Sequence, residues 1–202
     1  MKKIDFFFDF ISPFGYLASL RIDGLARKYD RDCEWTSILL GVSVLKVMGM
    51  KPMAQTPLKG DYLKHDFRRY ARRHGIRIGR ELGAEPSNPL PAGRAFHWVK
   101  QASPGLAKPF AAAVLDAYWR GGADIGKVGT LEEIGEKVGL DPAALRDAAT
   151  GEIGRDLLRR AVDGSLERGV FGSPFFIVDG REPFFGVEKM ELMEEWLSSG
   201  GW

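Results

Sequence analysis

The chain has 202 residues, 45% of them hydrophobic, which is enough to bury a proper core and excludes a disordered segment. Lysines and arginines number 29 against 27 acids, a formal charge of +2 that gives no electrostatic case for nucleic acid or a membrane surface as the main partner. One cysteine, Cys33, excludes an intrachain disulfide and a Cys-x-x-Cys pair, and with them dithiol redox chemistry inside this chain.

Met1-Lys2-Lys3 followed by phenylalanines is built like the start of a secretory signal, but Asp5 and Asp9 interrupt the apolar run. Residues 4–8 are therefore read as a first strand. An amphipathic helix is expected from 13 to about 29, and the alternation over 33–38 reads as a second strand. Residues 39–56 look irregular, broken by Gly41, Gly49 and Pro52, and a helical pattern resumes near Tyr62. From there to about 165 the signals are helical, and five or six helices are expected. Thr130-Leu131-Glu132-Glu133 is a capping box, Asp141-Pro142 a cap followed by proline, and Gly139 between them a C-terminal stop. Strand signals return at Phe175-Phe176-Ile177-Val178, Asp179-Gly180 supplies a hairpin turn, Pro183-Phe184-Phe185 returns as an edge strand, and 188–197 forms a last helix. No stretch is apolar for long enough to span a bilayer. The order β-α-β, helices, β-β-α implies an α/β fold, a four-stranded mixed sheet of the thioredoxin type with a large all-helical insertion. Residues 1–40 and 166–202 make the thioredoxin-like domain, and 41–165 the insertion with its connecting loops.

Two stretches carry the candidate chemistry. In Asp9-Phe10-Ile11-Ser12-Pro13, an apolar strand ends at a Ser-Pro helix start, which sets a hydroxyl at a corner where backbone N–H groups favour an anion or thiolate. Ser12 either caps its helix only or also does chemistry, and the local sequence leaves both open. In Gly169-Val170-Phe171-Gly172-Ser173-Pro174, proline opens a buried strand. A cis Ser173–Pro174 bond there would turn the Ser173 backbone outward and make a slot for an extended, peptide-like ligand.

These two motifs, with Phe185-Gly186-Val187-Glu188-Lys189-Met190 as a third, resemble the 2-hydroxychromene-2-carboxylate isomerase and kappa-class glutathione transferase family. The resemblance extends through Leu39-Leu40-Gly41, Lys59-Gly60-Asp61-Tyr62 with Asp66, and Trp119-Arg120 leading to Asp124-Ile125. It implies a DsbA-like thioredoxin fold, glutathione as cofactor, a small aromatic carboxylate as substrate, a homodimer and a cytoplasmic location. By the same resemblance Ser12, followed by Pro13, stands where related oxidoreductases keep a reactive cysteine, and donates to the glutathione sulfur. The backbone of Ser173 before Pro174 pairs with the cysteinyl part, and Val187 and Glu188 receive the γ-glutamyl end. Lys59, Asp66 and the position of Met50 complete the implied binding set. Two positions depart from the family's pattern: Met50 stands where asparagine is common, and Val187 where a polar residue is common.

The implied reaction is addition of the glutathione thiolate to a conjugated enol-pyruvate side chain, rotation about a single bond, and elimination. Glutathione transfer or peroxide reduction by the same thiolate is the alternative enzyme reading, and a non-catalytic peptide-binding module is the alternative of another class. His65, His74 and His97 lack metal-ligand spacing and are expected at the surface or at caps. Arg68, Arg69, Arg72, Arg73 and Arg77 are read as a solvated helix face, and Cys33 as a small buried hydrophobe.

Overall fold

The computed structural model describes residues 2–202. Strand β1 (Lys3–Phe8) lies in the middle of the sheet, parallel to β2 (Asp32–Ser37) and antiparallel to β3 (Phe175–Val178). Strand β4 (Glu182–Phe185) pairs antiparallel with β3, giving the order β2-β1-β3-β4, the mixed four-stranded sheet expected from the sequence. Ile4, Phe6 and Phe8 point to one face with Trp35, Phe176 and Val178, and Phe7 to the other with Phe175 and Ile177. Both faces are covered, which is why β1 reads as an unbroken apolar run. Trp35 meets Phe6 and Phe8 edge-on at 5.2 and 5.5 Å between ring centres. Such pairs add about 0.5–1.5 kcal/mol each beyond their burial. Asp179 (φ 52°) and Gly180 (φ 78°) are both left-handed, as the central pair of the turn that the Arg181 N–H closes on the Val178 carbonyl at 3.1 Å.

The helix expected over 13–29 is two helices, α1 (Pro13–Ser19) and α2 (Ile22–Lys28). Ser19 Oγ donates to the Tyr16 carbonyl at 2.7 Å, competing with the helical ladder where the chain turns. After β2, residues 39–56 are less irregular than their breakers suggest: Gly41–Val47 is π-helical and Met53–Gln55 a 3-10 turn. Six α-helices follow before β3: α3 (Lys59–Arg73), α4 (Leu90–Ala102), α5 (Pro104–Trp119), α6 (Val128–Lys137), α7 (Pro142–Thr150) and α8 (Glu152–Glu167). Helix α9 (Lys189–Ser199) ends the fold.

Asp141 caps α7 as expected, accepting from the Ala144 N–H at 2.9 Å. The capping box at Thr130 does not form. Helix α6 starts two residues before it, so Thr130 lies inside the helix, and Glu132 grips Arg146 of α7 through two bonds of 2.6 and 2.8 Å. Phe110, Val114, Leu115 and Tyr118 of α5 are buried in the same core as Phe6 and Phe8, so the sheet and the inserted helices share one apolar interior. His97 is not at the surface. It is buried on α4, its Nε2 3.0 Å from Ser37 Oγ and 2.9 Å from the Ser37 carbonyl. Cys33 is buried, and desolvation holds its thiol far above the usual range.

Candidate functional site

The turn leaving β1 is closed by the Ser12 N–H, which donates to the Asp9 carbonyl at 2.9 Å. Ser12 is extended (φ −85°, ψ 117°), with Pro13 at the first helical position and its Oγ accepting from the Gly15 N–H at 3.1 Å. Its hydroxyl hydrogen goes elsewhere, to the Ser173 backbone carbonyl at 3.0 Å, while Ser173 Oγ accepts from the Asp9 N–H at 3.0 Å. The two loops are therefore buttoned together by a reciprocal pair of side-chain bonds, and Ser12 is only 2% exposed. Glycine at 15 is required by this approach: a Cβ there would stand 2.6 Å from Ser173 Oγ.

The Ser173–Pro174 bond is cis. The Pro174 carbonyl accepts from the Gly186 N–H at 3.0 Å, which draws the residues before α9 against this loop. Gly186 has φ 101°, and a Cβ on it would stand 2.6 Å from the Glu188 carboxylate. Past that point a cavity of about 200 Å³ opens between α3 and α9. Asp66, Arg69, Tyr70 and Arg73 line it from α3, with Val187, Glu188 and Glu191 opposite. Arg69 pairs with Asp66 at 2.8 Å and Arg73 with Glu191 at 3.0 Å. Glu188 has no cationic partner among the described residues. Two arginines and an unpaired carboxylate suit an amino-acid end that is itself zwitterionic.

Of the residues singled out from the sequence, Ser12, Pro13, Ser173 and Pro174 meet at the loop junction, and Asp66, Val187 and Glu188 meet at the cavity. Val187 is 1% exposed, and its carbonyl accepts from the Met190 N–H at 3.2 Å. Met50, on the stretch before α3, and Lys59, its first residue, are exposed and line neither place. Arg69 and Arg73 are exposed, as a solvated face requires, and they also border the cavity. The signal was their spacing: 66, 69, 70 and 73 fall on one side of a helix.

Asp9 is a buried acid that the sequence reading passed over as an interruption in an apolar run. Its Oδ1 accepts from the Ile11 N–H at 3.1 Å and its Oδ2 from the Leu40 N–H at 2.8 Å. Burial pushes its carboxyl up to about 6, against the opposing pull of those two donors. From the far side α5 steadies the same turn, because Trp119 Nε1 donates to the Phe10 carbonyl at 3.1 Å. Tyr16 donates its hydroxyl to Asp116 at 2.8 Å and accepts from Arg120 Nε at 2.7 Å, and burial pushes that phenol up to about 12.

Comparison with known proteins agrees with the fold. The family model described as a DSBA-like thioredoxin domain matches residues 3–198. Curated relatives include a 2-hydroxychromene-2-carboxylate isomerase of Sphingobium xenophagum, 28% identical over 197 residues and covering 97% of this chain and 98% of that protein. Another, of Pseudomonas putida, carries the same name and is 27% identical over 95% of this chain and 92% of its own. Among solved structures, a 2-hydroxychromene-2-carboxylate isomerase superposes with a TM-score of 0.83 at 26% identity, covering 97% of this chain and 94% of that one. The cytosolic disulfide reductase DsbM of Pseudomonas aeruginosa, solved with GSH, shares the fold with a TM-score of 0.67 at 20% identity over 98% of this chain and 96% of its own.

Proposed function

This chain belongs to the DSBA-like thioredoxin domain family, and from that premise we propose that it is a glutathione-dependent isomerase of an aromatic enol or keto acid, of the 2-hydroxychromene-2-carboxylate type. The relatives' shared name supports the reaction class, and that name spans nearly the whole chain. The observation that carries the cofactor is the continuous path from the Ser12 hydroxyl, through the Ser173–Pro174 loop bonded to Gly186, to a cavity with an unpaired Glu188. The residues along it fit a γ-glutamyl-cysteinyl chain: Glu188 for the ammonium, Arg69 and Arg73 for the carboxylate, the Ser173 backbone for the cysteinyl amide, and Ser12 for the sulfur.

When bound, glutathione supplies a thiolate nucleophile that the chain itself lacks, since Cys33 is buried and its thiol is held in the neutral form. Ser12 supplies the matching donor. Rotation of its hydroxyl away from the Ser173 carbonyl redirects one proton without breaking the cap, because the Gly15 N–H bonds to the oxygen and not to that hydrogen. A hydroxyl donor beside a sulfur lowers the thiol pKa and so holds the reactive form near neutral pH. Phe14, half-buried and edge-on to Phe67 at 6.0 Å, offers an aromatic substrate an apolar wall next to that hydroxyl. A homodimer and a cytoplasmic setting belong to the same reading.

The test is a glutathione titration of the purified protein followed by thiolate absorbance, together with turnover of 2-hydroxychromene-2-carboxylate with and without glutathione. Saturable thiolate formation at neutral pH and turnover only with glutathione are expected. Turnover at the same rate without glutathione, or no thiolate signal at saturation, overturns the assignment.

A further inference from the structure

Asp9 is tied to every segment that builds the loop junction. Its carboxylate accepts from Ile11, on the turn into Ser12, and from Leu40, on the chain leaving β2. Its carbonyl accepts from the Ser12 N–H, and its own N–H donates to Ser173 Oγ. The side chain is fully buried, so neither carboxylate bond is shared with solvent. Both of its partners are N–H donors, and the bonds they make are strongest to an ionised carboxylate. A protonated carboxyl keeps acceptor capacity but loses the charge that strengthens both bonds and adds an O–H with no partner among these contacts.

We propose that Asp9 is the positioning residue of this site: its ionised carboxylate clamps the turn carrying Ser12 to the chain leaving β2, and ligand binding falls away when that carboxylate takes up a proton. The binding half of this proposal rests on the glutathione reading above, whereas the clamp itself does not. Burial pushes the Asp9 carboxyl up to about 6, so the clamp is set at neutral pH and released in mildly acidic solution. The shift also carries a sign. A carboxyl raised on folding favours the fold when protonated, so the ionised form is held at a cost in stability.

The other titratable groups around Asp9 do not account for a transition in this range. On α5, Tyr118 senses the Asp9 charge and is itself raised by burial, with Arg80 stacked over its ring at 4.3 Å. Tyr16 of α1 is held at about 12 by burial, bonded to Asp116 of α5 and to Arg120 just past its end. His97 of α4, against the end of β2, is pushed down to about 4 by burial, and Lys100 of the same helix bonds the Trp35 carbonyl. On β1 itself, Asp5 is paired with Lys3 and Arg168.

The experiment follows the Leu40 and Ile11 amide resonances of isotope-labelled wild type and Asp9→Asn between about pH 5 and about pH 7.5, the window that brackets the carboxyl. Glutathione affinity is measured by calorimetry at both ends. In wild type both amides should shift together with a midpoint near 6, and glutathione should bind roughly tenfold more weakly at the acid end, as loss of a bond to a charged group implies. In Asp9→Asn the shift should vanish, and affinity should stay at the weak level at both ends. Leu40 and Ile11 amides that do not titrate in wild type overturn the clamp, and this needs no variant to fold. Asp9→Asn binding glutathione as tightly as wild type at the upper pH overturns the positioning role. Titrating amides in a protein that binds no glutathione at any pH leave the clamp standing and overturn the functional reading instead.

Discussion

The Ser12 hydroxyl donates to the Ser173 carbonyl at 3.0 Å across 161 residues of sequence, so the two loops that define the site are joined by the very proton that a bound sulfur would take. The resting structure is thus already connected, and on the proposed reading ligand entry would exchange one acceptor for another. Such an exchange retains most of the hydrogen-bond energy, which is small in net terms for a pair of this kind.

Ser12→Ala separates capping from catalysis. Loss of the cap should cost about 0.5–2 kcal/mol of stability in thermal or denaturant unfolding. Loss of the donor should raise the bound thiol's pKa, read by thiolate absorbance across pH. An unchanged thiol pKa with the stability loss intact would leave Ser12 as a cap alone.

Glu188→Gln should weaken glutathione binding by about 1–2 kcal/mol, the magnitude of a lost charge-assisted hydrogen bond. The fold should be unaffected, because Glu188 makes no ion pair among the described residues. Calorimetric titration at neutral pH measures it, and an unchanged dissociation constant removes the ammonium contact from this position.

Gly15→Ala should cost about 1–3 kcal/mol through overpacking, because its Cβ would press on Ser173 Oγ at 2.6 Å. Ser173→Ala removes the obstacle. The double variant should therefore be less destabilised than the sum of the two single changes, and strict additivity in urea unfolding would show that the loops relax apart freely.

His97 gives the fold an acid-sensitive term of known sign. Burial lowers it from the usual 6.5 to about 4, so the unfolded chain takes up a proton that the fold refuses, and stability drains away as pH falls through that window. The drop amounts to roughly 3 kcal/mol at most, at 1.36 kcal/mol per pKa unit. Asp9, raised to about 6, works in the opposite direction over an overlapping range and masks part of it. His97→Gln should accordingly lose less stability than wild type between about pH 6.5 and about pH 4. Parallel pH profiles would mean that the imidazole charges inside the fold.

Cys33 should stay unmodified by a thiol reagent in the native protein and react once denaturant is added, since burial keeps its thiol protonated and covered. Stoichiometric labelling of the folded chain would contradict the buried placement.

Short-range chemistry was legible in the sequence. Asp179-Gly180 specified the hairpin, Asp141-Pro142 the start of α7, and Ser12-Pro13 the corner after β1, because each acts through atoms only a few residues apart. What the sequence concealed depends on partners far along the chain. Helix α6 begins at Val128, ahead of the Thr130 box, and Glu132 grips Arg146, an attraction that exists only once α6 and α7 are side by side. Arg69 and Arg73 read as a solvated face, and that they also border a cavity depends on α9 standing opposite them. The break between α1 and α2 has no proline or glycine at Leu20 and Arg21 to announce it. Asp9 was visible as a letter, but its two acceptor bonds join Ile11 to Leu40, and no local pattern reports that pairing.

At the open edge of the sheet, β4 is four residues long and carries Pro183, which has no N–H to give. A strand from another molecule laid along this edge would meet a short and interrupted row of main-chain groups, and the shortness of β4 leaves little to extend. This edge therefore offers a poor template for fibril growth. Concentrated solutions should resist cross-β aggregation from this side, and β2, six residues long, is the longer of the two edges.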